Sequence, residues 1–173
     1  LRLGVGEPVM TLPESARFSD ALDFLDRHRG WLAERLARRP SPVAFVDGAL
    51  VPFRGEIHLI DHRPGARGTV WREPDTAEAA PRLVVAGGAD HLPRRLRDFF
   101  VRAAKADLAP AVARHAARLS IELPNPRIRV KDTRSRWGSC TADGELSFSW
   151  RVVLAPPFVL DYLAAHEVAH LRE

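Results

Sequence analysis

Apolar residues recur at short and irregular spacings up to about residue 90, and the pattern then lengthens towards a helical period. In the first stretch, Leu3 and Val5, then Gly6-Glu7-Pro8, then Val9 to Leu12 predict a hairpin closed by Pro13. Residues 19 to 38 predict a helix, with Leu22, Leu25, Leu32 and Leu36 near one face and Arg38-Arg39-Pro40 at its end. Gly30 is a weak point inside that helix. Val43 to Val46 and Ala49 to Phe53 flank Asp47-Gly48, a strong signal for a short hairpin. Glu56 to Ile60 adds a strand, residues 61 to 81 read as loops around a strand near Val70, and Leu83 to Ala86 is another short strand.

From His91-Leu92-Pro93 onwards, Leu96, Phe99, Phe100 and Ala103 predict a helix with an inward face. Pro110 is expected to break or kink it, leaving a second piece that runs to about Leu119. Pro124-Asn125-Pro126 reads as a turn. Arg127 to Asp132 and Glu145 to Val153 alternate strictly, and the second run puts Leu146, Phe148, Trp150 and Val152 on one strand face. Pro156-Pro157 suits the start of a last helix. The expected fold class is α+β: an N-terminal antiparallel β region with helices, then a helix, a β-hairpin and a final helix. One domain is expected over 1–173, β-rich over 1–90 and more helical over 91–173.

Composition changes this picture little. The 173 residues carry 26 basic and 22 acidic side chains, a net charge of +4. Only Lys105 and Lys131 among the basic residues are lysine, a bias that a GC-rich genome also produces. Such a balance permits an anionic partner without demanding one. Cys140 is the single cysteine, so no internal disulfide forms, which fits a reducing compartment and a cytoplasmic location. No run approaches the length of a membrane span, and no charged-then-apolar leader is visible. The chain opens on Leu1 rather than Met and stops at Glu173 inside a helical pattern, so a fragment is expected, with room for a leader before Leu1.

The informative segment is His166-Glu167-Val168-Ala169-His170. Val159, Leu160, Tyr162 and Leu163 precede it and give a helix an apolar face. Positions i and i+4 are helical neighbours about 5–6 Å apart at Cβ. Two imidazoles so placed reach one metal ion at about 2.0–2.1 Å. Glu167 lies about 100° round the helix from His166, where it can take a proton from a metal-activated water as general base. His58 and His62 also stand four apart, but in or beside a strand four residues span about 13 Å, so they read as ordinary surface or loop histidines. His28, His91 and His115 have no partner pattern.

Arg136-Trp137-Gly138-Ser139-Cys140, Gly144-Glu145-Leu146, Trp150-Arg151, Leu154-Ala155-Pro156 and His166-Glu167-Val168-Ala169-His170-Leu171 follow one another at the spacing of the YgjP-like metallopeptidase family, a relative of the SprT-like zinc proteases. Phe24, Trp31-Leu32, Asp47-Gly48 and Gly55 extend the resemblance weakly towards the N-terminus. Val168 stands where the family commonly has Leu, and Ser149 where it commonly has Asn. The resemblance implies a zincin-type fold, with zinc as cofactor held by His166, His170 and a third histidine six residues after the second, beyond Glu173. A chain stopping at Glu173 is then expected to bind zinc weakly and to be nearly inactive. The resemblance also places the segment holding Arg134, Arg136, Trp137, Gly138 and Ser139 beside the metal as an edge that binds extended substrate. Read from the residues alone, Trp137 packs over a hairpin, Gly138 serves its bend, and Cys140 is a small buried hydrophobe.

Arg127, Arg129, Lys131, Arg134 and Arg136 concentrate positive charge against the single anion Asp132. They form either a solvated sheet face or a strip that leads an anionic ligand, a nucleotide or nucleic acid, to the metal. No aromatic residues interleave them to stack single-stranded bases. The leading expectation is a zinc-dependent hydrolase, most simply a metallopeptidase acting on peptide or protein with Glu167 as general base. Metal-dependent hydrolysis of nucleotide phosphoanhydrides is the second reading, and a non-catalytic nucleic-acid-binding module the third.

Overall fold

The computed structural model describes residues 8–38, 44–77, 79–123, 126–133 and 136–172. Backbone contacts group the chain into two compact units, Leu1–Pro42 and Val43–Glu173. The expected first hairpin falls largely outside the described residues, as do Val43, Pro124 and Asn125.

The first unit carries α1 (Phe18–Arg27) and α2 (Arg29–Ala37). The single helix expected over 19 to 38 is therefore two. The break is at His28, with φ −106° and ψ 10°, rather than at Gly30, which sits in the first turn of α2. The His28 ring competes for the helix's own acceptors: its Nδ1 lies 2.8 Å from the Phe24 carbonyl oxygen.

The second unit is α+β, as the sequence predicts. Its first sheet holds β1 (Leu50–Phe53), β2 (Glu56–Arg63), β3 (Val70–Glu73) and β4 (Arg82–Ala86), in the order β1-β2-β4-β3. Pairing in it is mixed. β1–β2 and β3–β4 are antiparallel, but β2–β4 is parallel, with Ile60 opposite Leu83. β4 is the most apolar run and fills the central slot, where Leu83, Val84, Val85 and Ala86 are buried.

The hairpin turn differs from the expected one. It falls at Arg54-Gly55, both with positive φ (51° and 82°), and joins β1 to β2. A two-residue turn of this kind matches the twist of its strands. Arg54 tolerates its left-handed conformation because its guanidinium makes two hydrogen bonds to Asp107, at 2.9 and 2.8 Å. Asp47-Gly48 instead ties a loop to β2, through Gly48 N–H to the Ile60 carbonyl at 2.9 Å and His62 N–H to Asp47 Oδ1 at 2.8 Å.

α3 (Leu92–Arg118) runs through Pro110 as one helix. The ladder Leu92, Leu96, Phe100, Ala104, Leu108, Val112 and Ala116 is buried on both sides of the proline. Packing outweighs the cost of the missing N–H. A second sheet follows, of β5 (Ile128–Lys131), β6 (Gly138–Cys140) and β7 (Leu146–Ser149), in the order β5-β7-β6. β5 and β7 are parallel, so Arg136-Trp137-Gly138 is no hairpin between them; β6 is an edge strand antiparallel to β7. The alternation expected up to Val153 stops at Ser149, and Trp150–Leu154 forms a 3₁₀ turn. α4 (Pro157–Ala169) closes the unit. Side chains of the first sheet, α3, β7, the 3₁₀ turn and α4 share one core, with Phe100 stacked on Trp150 at 5.7 Å between centroids. No helix among the described residues is long and apolar enough to cross a membrane.

His58 is not a surface residue. It is fully buried on the core-facing side of β2, edge-on to Phe53. Arg72 Nε–H donates to its Nε2 at 2.9 Å. The ring proton therefore sits on Nδ1 and donates to the Glu56 carbonyl at 3.0 Å.

Candidate metal centre

α4 starts where two prolines fix the chain and is anchored at both ends. At its start, Arg54 N–H donates to the Val153 carbonyl at 2.7 Å, and a Cβ on Gly55 would lie 2.9 Å from Pro156 Cα. In its second turn, Asp161 accepts from His115 Nε2 at 2.9 Å and from Arg114 at 2.6 Å, both on α3. Hydrogen bonds from His115 and then Arg114 hold the Asp161 carboxyl below the usual carboxylate range. The i, i+3 bonds Leu171 N–H to Val168 O and Arg172 N–H to Ala169 O close the helix end.

Leu160, Ala164 and Val168 point into the core, and this fixes where the next positions face. His166 and His170 lie on the exposed side, ring centroids 4.9 Å apart and nearly perpendicular. Tyr162 stacks on His166 one turn earlier, at 6.3 Å. Glu167 faces inward and is only 5% exposed. Its carboxylate lies against the Cα of Gly138: a Cβ built there would stand 2.4 Å from Oε1. The three residues form one wall of a cleft of about 420 Å³, and β6 with Arg136, Thr141 and Ala142 forms the other.

Of the residues singled out in the sequence, the cleft brings together His166, Glu167, His170, Arg136, Gly138 and Ser139. Arg134 lies outside the described residues. Trp137 is not packed over a hairpin. It is 54% exposed and lines neither this cleft nor the cavity behind it; its backbone carbonyl accepts from Ser149 N–H at 2.8 Å. Cys140, a cleft residue the sequence reading took only as a core filler, is half-buried. Burial pushes its thiol up, and the charges of Glu167 and Asp143 add to this, so it stays protonated beside Glu167. Two further features escaped the sequence reading, the His115–Asp161 anchor and the contact of Gly138 with Glu167. Both join residues far apart in the chain, and only the i, i+4 histidine spacing is a local signal.

The donor set fits a divalent metal ion in part. Two neighbouring imidazoles are ligands zinc prefers, and a carboxylate on the next position round the helix is placed behind them rather than beside them. Among the described residues, no three His, Cys, Asp or Glu side chains converge to hold an ion. Most of the basic strip is engaged: Arg127 with Asp143 at 3.8 Å, Arg129 with Glu145 at 2.7 Å and Lys131 with Glu145 at 3.5 Å. Another cleft of about 410 Å³, at the start of α4, is flanked by Arg54 and Arg114, which pair with Asp107 and Asp161.

A family model described as YgjP-like, metallopeptidase domain matches residues 3–173. No curated protein and no solved structure matches the chain.

Proposed function

The chain belongs to the YgjP-like metallopeptidase family, and on that premise we propose that it is a zinc-dependent peptidase with Glu167 as its general base. One observation carries this reading: a nearly buried carboxylate fills the space left by Gly138, between two exposed histidines on α4 and the edge strand β6. When held by His166 and His170, zinc supplies Lewis-acid polarisation of the scissile carbonyl and acidifies the attacking water. Glu167 takes the proton from that water at a carboxylate oxygen and returns it to the leaving amine. Gly138 gives the carboxylate room on the strand, so the base sits beside the backbone that binds substrate. The outer edge of β6 pairs with an extended peptide through main-chain hydrogen bonds. A single unpaired cysteine suits action in the cytoplasm.

The engagement of Arg127 with Asp143 and of Arg129 with Glu145 favours a peptide over a nucleotide as substrate. The test gives the full-length protein, loaded with zinc, unfolded casein or a quenched fluorescent peptide in one arm and nucleoside triphosphates in the other. Peptide turnover is expected, with Glu167→Gln lowering it about 10²–10⁴-fold while zinc content stays at the wild-type level. Nucleotide turnover without peptide turnover overturns the reading, and loss of zinc in Glu167→Gln overturns the role of the carboxylate.

A further inference from the structure

Behind the cleft, on the other face of β6, lies a cavity of about 100 Å³ lined by Lys131, Thr133, Arg136, Gly138, Ser139 and Ser147. It shares Arg136, Gly138 and Ser139 with the cleft. Its lining holds two cations and three hydroxyls and no carboxylate. Glu145, just outside, already offsets Arg129 and part of Lys131. Arg136 has no ion pair among the described residues, and Thr133 Oγ1 donates to its backbone carbonyl at 2.8 Å. Ser147 is buried, at 5% exposure, and its hydroxyl is within 3.4 Å of Glu145.

The register of the sheet says what reaches this cavity. Ser139 stands opposite Ser147, and Ser147 opposite Arg129, so these side chains share one face with Lys131. Gly138 stands opposite Phe148 and Cys140 opposite Leu146, so these share the face towards the core and α4. A peptide paired along the outer edge of β6 obeys the same alternation. Its residue opposite Ser139 sends its side chain to the cation-lined face. The flanking residues, opposite Gly138 and Cys140, face Glu167. The cavity has room for a few water molecules, which suits a carboxylate with its methylene.

We propose that this cavity is an acidic-side-chain subsite, in which Arg136, with the Ser139 hydroxyl, holds the carboxylate of an aspartate or glutamate in the peptide bound along β6, while Lys131, two strands away on β5, adds positive potential. The proposal rests on the peptidase reading for its use and on the cavity for its chemistry, and the two are tested apart. Binding is measured by calorimetry on zinc-loaded Glu167→Gln protein, using one unstructured peptide and variants carrying Asp or Asn at each position in turn. One position is expected to favour Asp over Asn by about tenfold, the worth of a charge-assisted hydrogen bond to a partly exposed cation. Arg136→Gln removes that preference, and Arg136→Glu shifts it towards lysine at the same position. Lys131→Gln, on β5 with β7 between it and β6, weakens the preference without abolishing it, which a distortion confined to Arg136 does not produce. Equal affinity for Asp and Asn at every position overturns the proposal, as does a preference that survives Arg136→Gln. Inorganic phosphate that binds the wild type but leaves the Asp and Asn peptides equal assigns the cavity to free anions and also overturns it. An Asp preference in binding, with no peptide cleaved by the wild type, supports the subsite and removes the peptidase reading.

Discussion

Gly138→Ala puts the contact between β6 and the base to a direct test. The added methyl carbon would stand 2.4 Å from Glu167 Oε1, 2.8 Å from Cδ and 2.9 Å from Cγ, all inside van der Waals contact. Gly138 is not among the glycines with positive φ, so alanine brings no backbone strain; it gives back about 0.4–1 kcal/mol through the unfolded chain. The clash can be relieved in two ways. Forcing β6 away from α4 is overpacking and costs about 1–3 kcal/mol. Swinging the glutamate aside costs about 0.5–1.5 kcal/mol in rotamer strain, and the end of a flexible side chain yields first. The fold is therefore expected to stay within about 2 kcal/mol of wild type, while turnover drops about 10²–10⁴-fold because the base has left its place. At 1.36 kcal/mol per factor of ten, that is about 3–5 kcal/mol of barrier. The assay compares kcat/KM, zinc content and a urea melt on the same preparations. Glu167→Asp shortens the side chain by one methylene, so adding Gly138→Ala to it should cost far less than Gly138→Ala costs alone. Wild-type turnover in Gly138→Ala, or strictly additive losses in the double variant, would refute the reasoning.

Gly55→Ala is expected to lose about 2 kcal/mol or more in a denaturant melt, because its φ is +82° and the new Cβ meets the backbone of Pro156 at 2.9 Å, which cannot swing aside; a change under 0.5 kcal/mol, on the scale of an ordinary surface substitution, counts against the buttress on α4. His166→Ala and His170→Ala should each lose bound zinc on dialysis with circular dichroism unchanged, and retention of stoichiometric zinc by either removes it from the ligand set. Asp61 is held below the usual carboxylate range, first by its hydrogen bond from Arg63 and then by Arg82. Its folded pKa is depressed, so its stabilisation is present above the ordinary aspartate value and is lost as pH falls through the folded one. The stability gap between wild type and Asp61→Asn should therefore be widest near neutrality and close below about pH 4; a gap that widens in acid contradicts the pairing.

What the sequence made legible was local. The start of α4 at Pro157, its apolar face and the two histidines four apart are all written within a few turns, and the structure keeps them on one side of the helix. The strands near Val70 and Leu83 were equally plain, since each is a short apolar run between breakers. The misreadings came where distant partners decide. Arg54 in a left-handed turn looks improbable until Asp107 is beside it. Pro110 breaks an isolated helix but not one buried on both sides of it. His58 is polar and reads as a surface residue, yet Arg72 supplies the hydrogen bond that makes its burial tolerable. Gly138 reads as a bend from its neighbours alone, and its contact with Glu167 emerges only when β6 and α4 meet.

The strand order β1-β2-β4-β3 also sets a timetable for synthesis. β4 is the last of the four to leave the ribosome, yet it belongs in the middle. Until it arrives, β2 and β3 each present an open edge to the same slot, and neither can pair with the other across it. The sheet therefore closes when the β3–β4 hairpin docks its β4 edge on β2, a parallel pairing that is non-local. The docking segment, Leu83 to Ala86, is apolar throughout and buried once docked, so it is adhesive until then. Pro81 and Arg82 stand before it and Gly87-Gly88 after it, poor strand formers and a charge that act as gatekeepers against pairing with a neighbouring nascent chain. Replacing those flanks with apolar residues should lower the yield of folded protein at high expression while leaving the melting temperature of the molecules that do fold nearly unchanged.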